Sequence, residues 1–370
     1  MKFTAKVDNT PVTFTNFSYS AETGVFSSDT NNAMGVRLNI NTPLNLDTSF
    51  NNKEFSVFPI VKRGLAENEI FQVYDKSRDT RIGWCIPINA LCSTEHDFAA
   101  NTHFLKYAHA GIKHLLNAPN EDIHTKHPQV TDETPLYLSE FFDESVALFV
   151  VSNETLRETP FDIGRWLPGL AKYGFFKLTQ FSPKLVSITC DTITQTHISI
   201  SPISNAIDEI SQISSIYTNA LPYEKNIAFQ FFYLYQTIEM LMEIIFKNEQ
   251  GKFITQLINA QGDVHKTKDL IQNSGINTSE KRRLCMLAQS YCKCEDTLHS
   301  MISLCNNLLN ELDIETGTSL ETTLYPVRNF IVHRFRSFPN DATEHLKNVT
   351  NCFLDLAHTL LARFKIPAAP

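Results

Sequence analysis

Over the first ninety or so residues, apolar and polar positions alternate in short runs, VTFTNFSYS, GVRLNIN, FSVFPIVK and IFQVYD, each bounded by Asn, Asp, Ser or Gly. Successive side chains of a strand point to opposite faces, so a period of two rich in β-branched and aromatic residues predicts half-buried strands. The turn residues between the runs predict hairpins, and together they predict a small sandwich or barrel. From Glu95 to about Asn117 the apolar period lengthens to that of a helix, and a polar loop holding Pro119 and Pro128 follows. The first expected domain is therefore β-rich, over residues 1–135, with a trailing helix.

A middle α/β portion is expected over 136–220. ESVALFVVS reads as a buried strand, FDIGRWLPGLAKYGFF as a short helix, and VSITCDTITQTHISISP as two strand-like runs. From Leu221 the pattern changes. Ile227, Phe231, Leu234, Ile238, Leu241 and Ile245 recur at helical spacing, which predicts one long amphipathic helix to about Lys247. Helical patterns recur at 252–272, 279–312 and 342–364, so residues 221–370 are expected to form an all-α bundle of four or five helices around one core. The fold class is thus α+β and multidomain, as a chain of 370 residues allows.

Composition narrows the functional classes. The opening MKFTAKVDNT lacks an apolar leader core, and no stretch approaches the roughly 20 apolar residues of a membrane helix. Eight cysteines are too sparse for a disulfide scaffold, and Cys292 and Cys294 are closer together than zinc knuckles are. A cytoplasmic protein with reduced thiols and no membrane association is expected. Half of the histidines cluster at 96, 103, 109, 114, 124 and 127, but without the spacing of four that puts two ligands on one helix face, so no metal or other cofactor is expected. Neither GxxxxGK[ST], GxGxxG nor GxSxG occurs. The net charge of −8 argues against a broad nucleic-acid-coating surface. From Leu221 onward, however, 15 Lys and Arg face 16 Asp and Glu, so most of the excess negative charge precedes that point.

The segment YPVRNFIVHRFR, Tyr325 to Arg336, is where chemistry concentrates. Pro326 suits the first position of a helix, since its missing amide hydrogen would be orphaned there anyway. Arg328 is then expected in the first turn, with Asn329 and His333, four apart, on one face. A first-turn cation opposes the helix dipole, but an anion held by Arg328 and the free amides would make a binding site of it. Residues 322–340 contain no Asp or Glu while holding Arg328, His333, Arg334 and Arg336. Lys281, Arg282 and Arg283 open another helix, where a solvated face or an extension of an RNA path are both open readings.

The run RNFIVH resembles the signature of the HEPN superfamily, in which Arg followed by a polar residue precedes His within a helical bundle. The long helix FFYLYQTIEMLMEIIF is similar to the first helix of such modules, so the resemblance covers about 221–370. It implies a metal-independent endoribonuclease cleaving RNA, tRNA among the candidates, by attack of the 2′-hydroxyl. His333 would be the general base or acid, Arg328 would stabilise the phosphorane oxygens, and Asn329 would orient His333 or the phosphate. Glu239, with Tyr235 one turn before it, would aim Arg328 or else stand as a solvated carboxylate. Arg334 and Arg336 would follow the RNA backbone or be surface charge. Two bundles of such modules typically pair and line a shared cleft, which implies a homodimer with a composite site; bacterial relatives of this kind act as toxins or anti-phage effectors, which implies an amino-terminal sensor region and a phage-derived trigger or an antitoxin as further partner. The alternative is a non-catalytic HEPN-like module for dimerisation or nucleotide binding, with Arg328 paired to a carboxylate and His333 buried in the core.

Overall fold

A computed structural model of the chain describes residues 3–14, 17–20, 25–28, 37–38, 54–91, 93–117, 126–130, 137–156, 161–179, 196–208, 210–273, 279–294, 298–334, 336 and 338–367. The architecture is mixed α+β and divides into two compact units.

The first unit holds twelve described strands: β1 (Phe3–Val7), β2 (Thr10–Phe14), β3 (Phe17–Ser20), β4 (Val25–Ser28), β5 (Arg37–Leu38), β6 (Phe55–Val61), β7 (Phe71–Asp75), β8 (Thr80–Pro87), β9 (Gln129–Val130), β10 (Val146–Ser152), β11 (Phe176–Lys177) and β12 (His197–Ile200). Three helices accompany them, α1 (Ile88–Leu91), α2 (Thr102–Asn117) and α3 (Asn153–Leu156). Where a small sandwich or barrel was expected, six of the described strands make one curled sheet in the order β11-β6-β10-β8-β7-β12, and the others form two three-stranded sheets, β2-β1-β9 and β3-β4-β5. β1 and β2 are joined through Asp8 and Asn9, both at positive φ (47° and 65°), as a two-residue hairpin turn matched to strand twist requires.

β10 is the centre of the large sheet. All seven of its residues, VALFVVS, are buried, and it pairs antiparallel with β6 on one side and β8 on the other. A strand enclosed on both faces reads as a continuous apolar run, which is why its sequence was legible. The helix expected over 95–117 is α2, which packs over β6, β8 and β10. Phe98, Phe104 and Tyr107 surround the buried Trp84, with ring centroids at 4.9, 5.1 and 6.4 Å. Gly83 lets β8 approach β10, because a Cβ there would stand 2.2 Å from the Val150 carbonyl oxygen. The strands expected in a separate middle portion belong to this same sheet, β10 at its centre and β12 at its edge, parallel to β7. β8 was not foreseen, since Gly83 interrupts the apolar run. Of the two runs expected in VSITCDTITQTHISISP, the second is β12, and residues 185–195 lie outside the described residues.

The second unit is helical: α4 (Leu167–Lys172), α5 (Ile210–Ser215), α6 (Ile227–Asn259), α7 (Val264–Asn273), α8 (Glu280–Met286), α9 (His299–Glu311), α10 (Leu320–Arg334) and α11 (Thr343–Arg363). It begins earlier than Leu221, taking in Gly164–Lys172 and the chain from Ser201. Asn226 caps α6, its Oδ1 accepting the Ala228 amide at 2.9 Å. Five of the six apolar residues singled out there, Phe231, Leu234, Ile238, Leu241 and Ile245, are buried. The helix runs to Asn259, three turns past the expected end at Lys247, so the pattern over 252–272 is shared between α6 and α7. The pattern over 279–312 is likewise two helices, because α8 passes into a π-helical turn at Leu287–Tyr291 and Lys293 adopts a positive φ of 48°. α11 packs against α4, α6 and α9, and α10 against α6, α8 and α9. Among the described residues no helix is long and apolar enough to cross a membrane.

Candidate functional site

The site is built on α10, and the first correction concerns where that helix begins. Ser319 is its first anchor: the Ser319 amide donates to Thr322 Oγ1 at 3.0 Å, and its carbonyl accepts the Thr322 and Thr323 amides at 3.2 and 3.1 Å. This back-bonded Ser-x-x-Thr start, with Glu321 in the first turn, places Pro326 inside the helix rather than at its head. Arg328 is therefore a mid-helix residue, and the free amides of a first turn are not beside it. The expected anion site at a helix N-terminus does not form around Arg328.

Carboxylates from two other helices stand there instead. Arg328 Nη2 donates to Glu239 Oε1 of α6 at 3.0 Å, and Arg328 Nε lies 3.6 Å from Glu280 Oε1 of α8. The second distance is an ion pair but too long for a hydrogen bond, and Nε, buried, has no other partner among the described residues. Nη1 donates to Asn329 Oδ1 at 3.2 Å. The guanidinium also sits 5.6 Å from the ring centroid of Tyr235, whose hydroxyl donates to Glu280 Oε1 at 2.7 Å. One cation is thus fixed by three helices, with its aromatic floor and one of its carboxylates tied to each other.

The electrostatics follow from burial and charge. Burial alone would lower the pKa of Arg328, but the Glu239 hydrogen bond and the charges of Glu280 and Glu239 outweigh it and raise it. Burial, then the Glu280 bond and the neighbouring negative charges, push the Tyr235 phenol far up, so it stays protonated and donates. Arg328 and Glu280 each retain 19% of side-chain exposure and Glu239 retains 38%, so the cluster opens to solvent on the Glu239 side. A guanidinium has five N–H groups. With one aimed at Glu239, one at Asn329 and one at Glu280, one hydrogen on each Nη remains for a ligand.

His333 is exposed, one turn beyond Asn329 on the same face of α10. It is not the buried core histidine of the structural alternative. With Arg334 it occupies the last turn of the helix, where positive charge complements the dipole. Arg334 and Arg336 are both exposed. Of the residues singled out from sequence, Arg328, Asn329, Glu239 and Tyr235 come together, and His333 lies next to them along the helix.

Glu280 was missed, and Lys281 was read only as part of a solvated helix face or of an extended RNA path. Glu280 follows Ser279, whose Oγ accepts the Arg282 amide at 3.4 Å, so a capped helix start was readable there. That signal says only that an acid suits a first turn; it does not say that the acid faces α10. Lys281 lies with its ammonium 5.4 Å from the ring centroid of Tyr325, one turn before Asn329. Among the described residues no three His, Cys, Asp or Glu side chains gather as metal ligands would. The arrangement can hold an anion in two N–H directions, with the exposed His333 one turn beyond Asn329 along the helix. No family model, curated protein or solved structure matches this chain.

Proposed function

We propose that the helical unit is an endoribonuclease site that needs no metal, in which Arg328 binds the scissile phosphate, Asn329 orients it and His333 moves protons. The observation that carries this reading is the clamped Arg328 beside Asn329, with the exposed imidazole of His333 one turn further on the same helix face. A guanidinium held by carboxylates on two sides keeps its remaining N–H groups in one orientation, which is what stabilising charge on a phosphorane demands. The 2′-hydroxyl supplies the nucleophile, and an exposed imidazole can take its proton. One imidazole serves poorly as both base for the nucleophile and acid for the leaving oxygen, so the active species is proposed to be a homodimer that pairs two such sites. A role as toxin or anti-phage effector, with the first unit as sensor of a trigger or antitoxin, extends the same proposal.

The test is incubation of the purified protein with total tRNA in EDTA. Cleavage by the wild type, reduced about 100- to 10,000-fold in His333→Ala, is the expected result. Intact RNA with wild type and variant alike, at protein concentrations that populate the dimer, would sink it. A second reading is favoured by one observation: Arg328 and its two carboxylates carry a formal charge of −1, as a purely structural ion pair of a non-catalytic dimerisation or nucleotide-binding bundle would. That reading predicts loss of stability, and no RNA cleavage to lose, in Arg328→Ala.

A further inference from the structure

The proposed cleavage site occupies only the middle of a longer surface. Along α10, Tyr325, Asn329 and His333 recur every four residues and so share one face, spanning about 12 Å at 1.5 Å per residue. From Thr322 to Asn340 the chain has no acid. At the Tyr325 end, α8 packs against α10 and brings Lys281 over the Tyr325 ring at 5.4 Å. Arg282, the next residue, is exposed like Lys281, and Arg283 lies half-buried, 5.9 Å from the Phe246 ring centroid. At the other end are Arg334 and Arg336, both exposed. Six cations on α8, α10 and the residues after it thus stand with three carboxylates: Glu239 and Glu280, both turned on Arg328, and Glu321 in the first turn of α10, one turn before Tyr325. In a chain of net charge −8 this is a local reversal of sign.

We infer that the exposed faces of α8 and α10 form a track for single-stranded RNA, with Lys281 and Arg282 binding the phosphates on one side of the cleavage site and Tyr325 stacking a base. It rests on the nuclease reading for its direction past His333, but binding along it needs no cleavage. The chemistry favours a single strand over other polyanions. A partly exposed tyrosine ring beside a lysine offers a stacking surface that only unpaired bases can use, and cations at helical spacing neutralise phosphates without reading sequence. An acidic peptide would find the same charges but no use for Tyr325, and a duplex has its bases already stacked.

Binding of a fluorescent 2′-O-methyl oligouridylate, which the 2′-hydroxyl route cannot cleave, tests the track in the full-length protein across a salt series. The double variant Lys281→Gln/Arg282→Gln should flatten the slope of log Kd against log salt by about 1.4, since each phosphate contact to a single strand contributes about 0.7. Lys347→Gln on α11, a surface charge change of the same kind, should leave that slope unchanged. Tyr325→Leu should weaken binding about fivefold or more at every salt concentration without changing the slope. Lys281 and Arg282 are exposed, so the double variant tests the idea even where Tyr325→Leu lowers the melting temperature. An unchanged slope in the double variant overturns the track, and so does equal competition by duplex RNA or by poly-glutamate. Cleavage of unmodified RNA by wild type together with unchanged binding in the double variant would remove the track and leave the nuclease reading standing. Weakened binding in the variants, with no cleavage by wild type, would keep the track and remove the nuclease.

Discussion

Arg328 is held by interactions of unequal worth, and that inequality separates aiming from stability. Glu239 is more than a third exposed, and ion pairs of that kind contribute about 1 kcal/mol or less. Glu239→Gln should therefore leave the urea midpoint nearly unchanged while lowering RNA cleavage about 100-fold, the cost of a guanidinium displaced by about an ångström. Equal losses in both would mark Glu239 as structural. The buried Tyr235 hydroxyl is the opposite case, because its bond to the Glu280 carboxylate lies under α8 and α6. Tyr235→Phe should cost about 1.5–3 kcal/mol in equilibrium unfolding, the range for a hydrogen bond to a charged group. The resemblance in RNFIVH named Arg328, Asn329 and His333, and it pointed to α6 for Glu239 and Tyr235. Glu280 was not legible, since nothing local in Ser279-Glu280-Lys281 tells which way a first-turn acid faces.

Helices and strands add a second kind of evidence, because the misread boundaries have physical causes. Pro326 signalled a helix start more loudly than Ser319 did, yet a proline is tolerated inside a helix when tertiary packing offsets the missing hydrogen bond. Val327, Phe330 and Ile331, all buried just beyond it, supply that packing. Pro326→Ala restores the amide and should raise stability by about 1–3 kcal/mol, with cleavage unchanged, as measured by denaturant unfolding and the tRNA assay. Gly83 carries the reverse prediction. A Cβ there meets backbone, which cannot rotate away, so Gly83→Ala should cost about 3 kcal/mol or more and lower the melting temperature accordingly. The π-helical turn at Leu287–Tyr291 was invisible to periodicity, since one added residue in a turn leaves apolar residues near the expected face.

The molecule's response to pH sums its buried titratable groups. Burial, the largest cause in each, raises the phenols of Tyr217, Tyr235 and Tyr291, the last to about 12. These phenols keep their protons in the folded protein, while an unfolded chain releases them near pH 10. The folded state then binds more protons, so the stability these phenols contribute is fully present below pH 10 and falls as pH rises from 10 toward 12. Far-ultraviolet circular dichroism against pH, with tyrosinate absorbance recorded alongside, checks both the loss and its delay; early ionisation of all eleven tyrosines before any unfolding would contradict it. For His96 and His103 in the first unit the sign is opposite. Burial lowers the pKa of His96 and His103, and His96 Nδ1 accepts the Phe98 amide at 3.2 Å, which a protonated ring cannot do. Their contribution is present above about pH 6.5 and lost as pH falls below it.

Periodicity was enough to mark the buried strand β10, the helix α2, the long helix α6 and the closing helix α11, because burial on one or both faces writes itself into spacing. Composition and the resemblance in RNFIVH, rather than periodicity, singled out the short carboxylate-free segment that carries Arg328 and His333. What spacing does not encode is which faces meet. That β10 lies between β6 and β8, that α10 starts just after Ser319 and takes Pro326 into its interior, and that Glu280 from α8 closes on Arg328 are matters of packing between segments far apart in the chain. Each is decided by the free energy of the assembled core, which no local window contains.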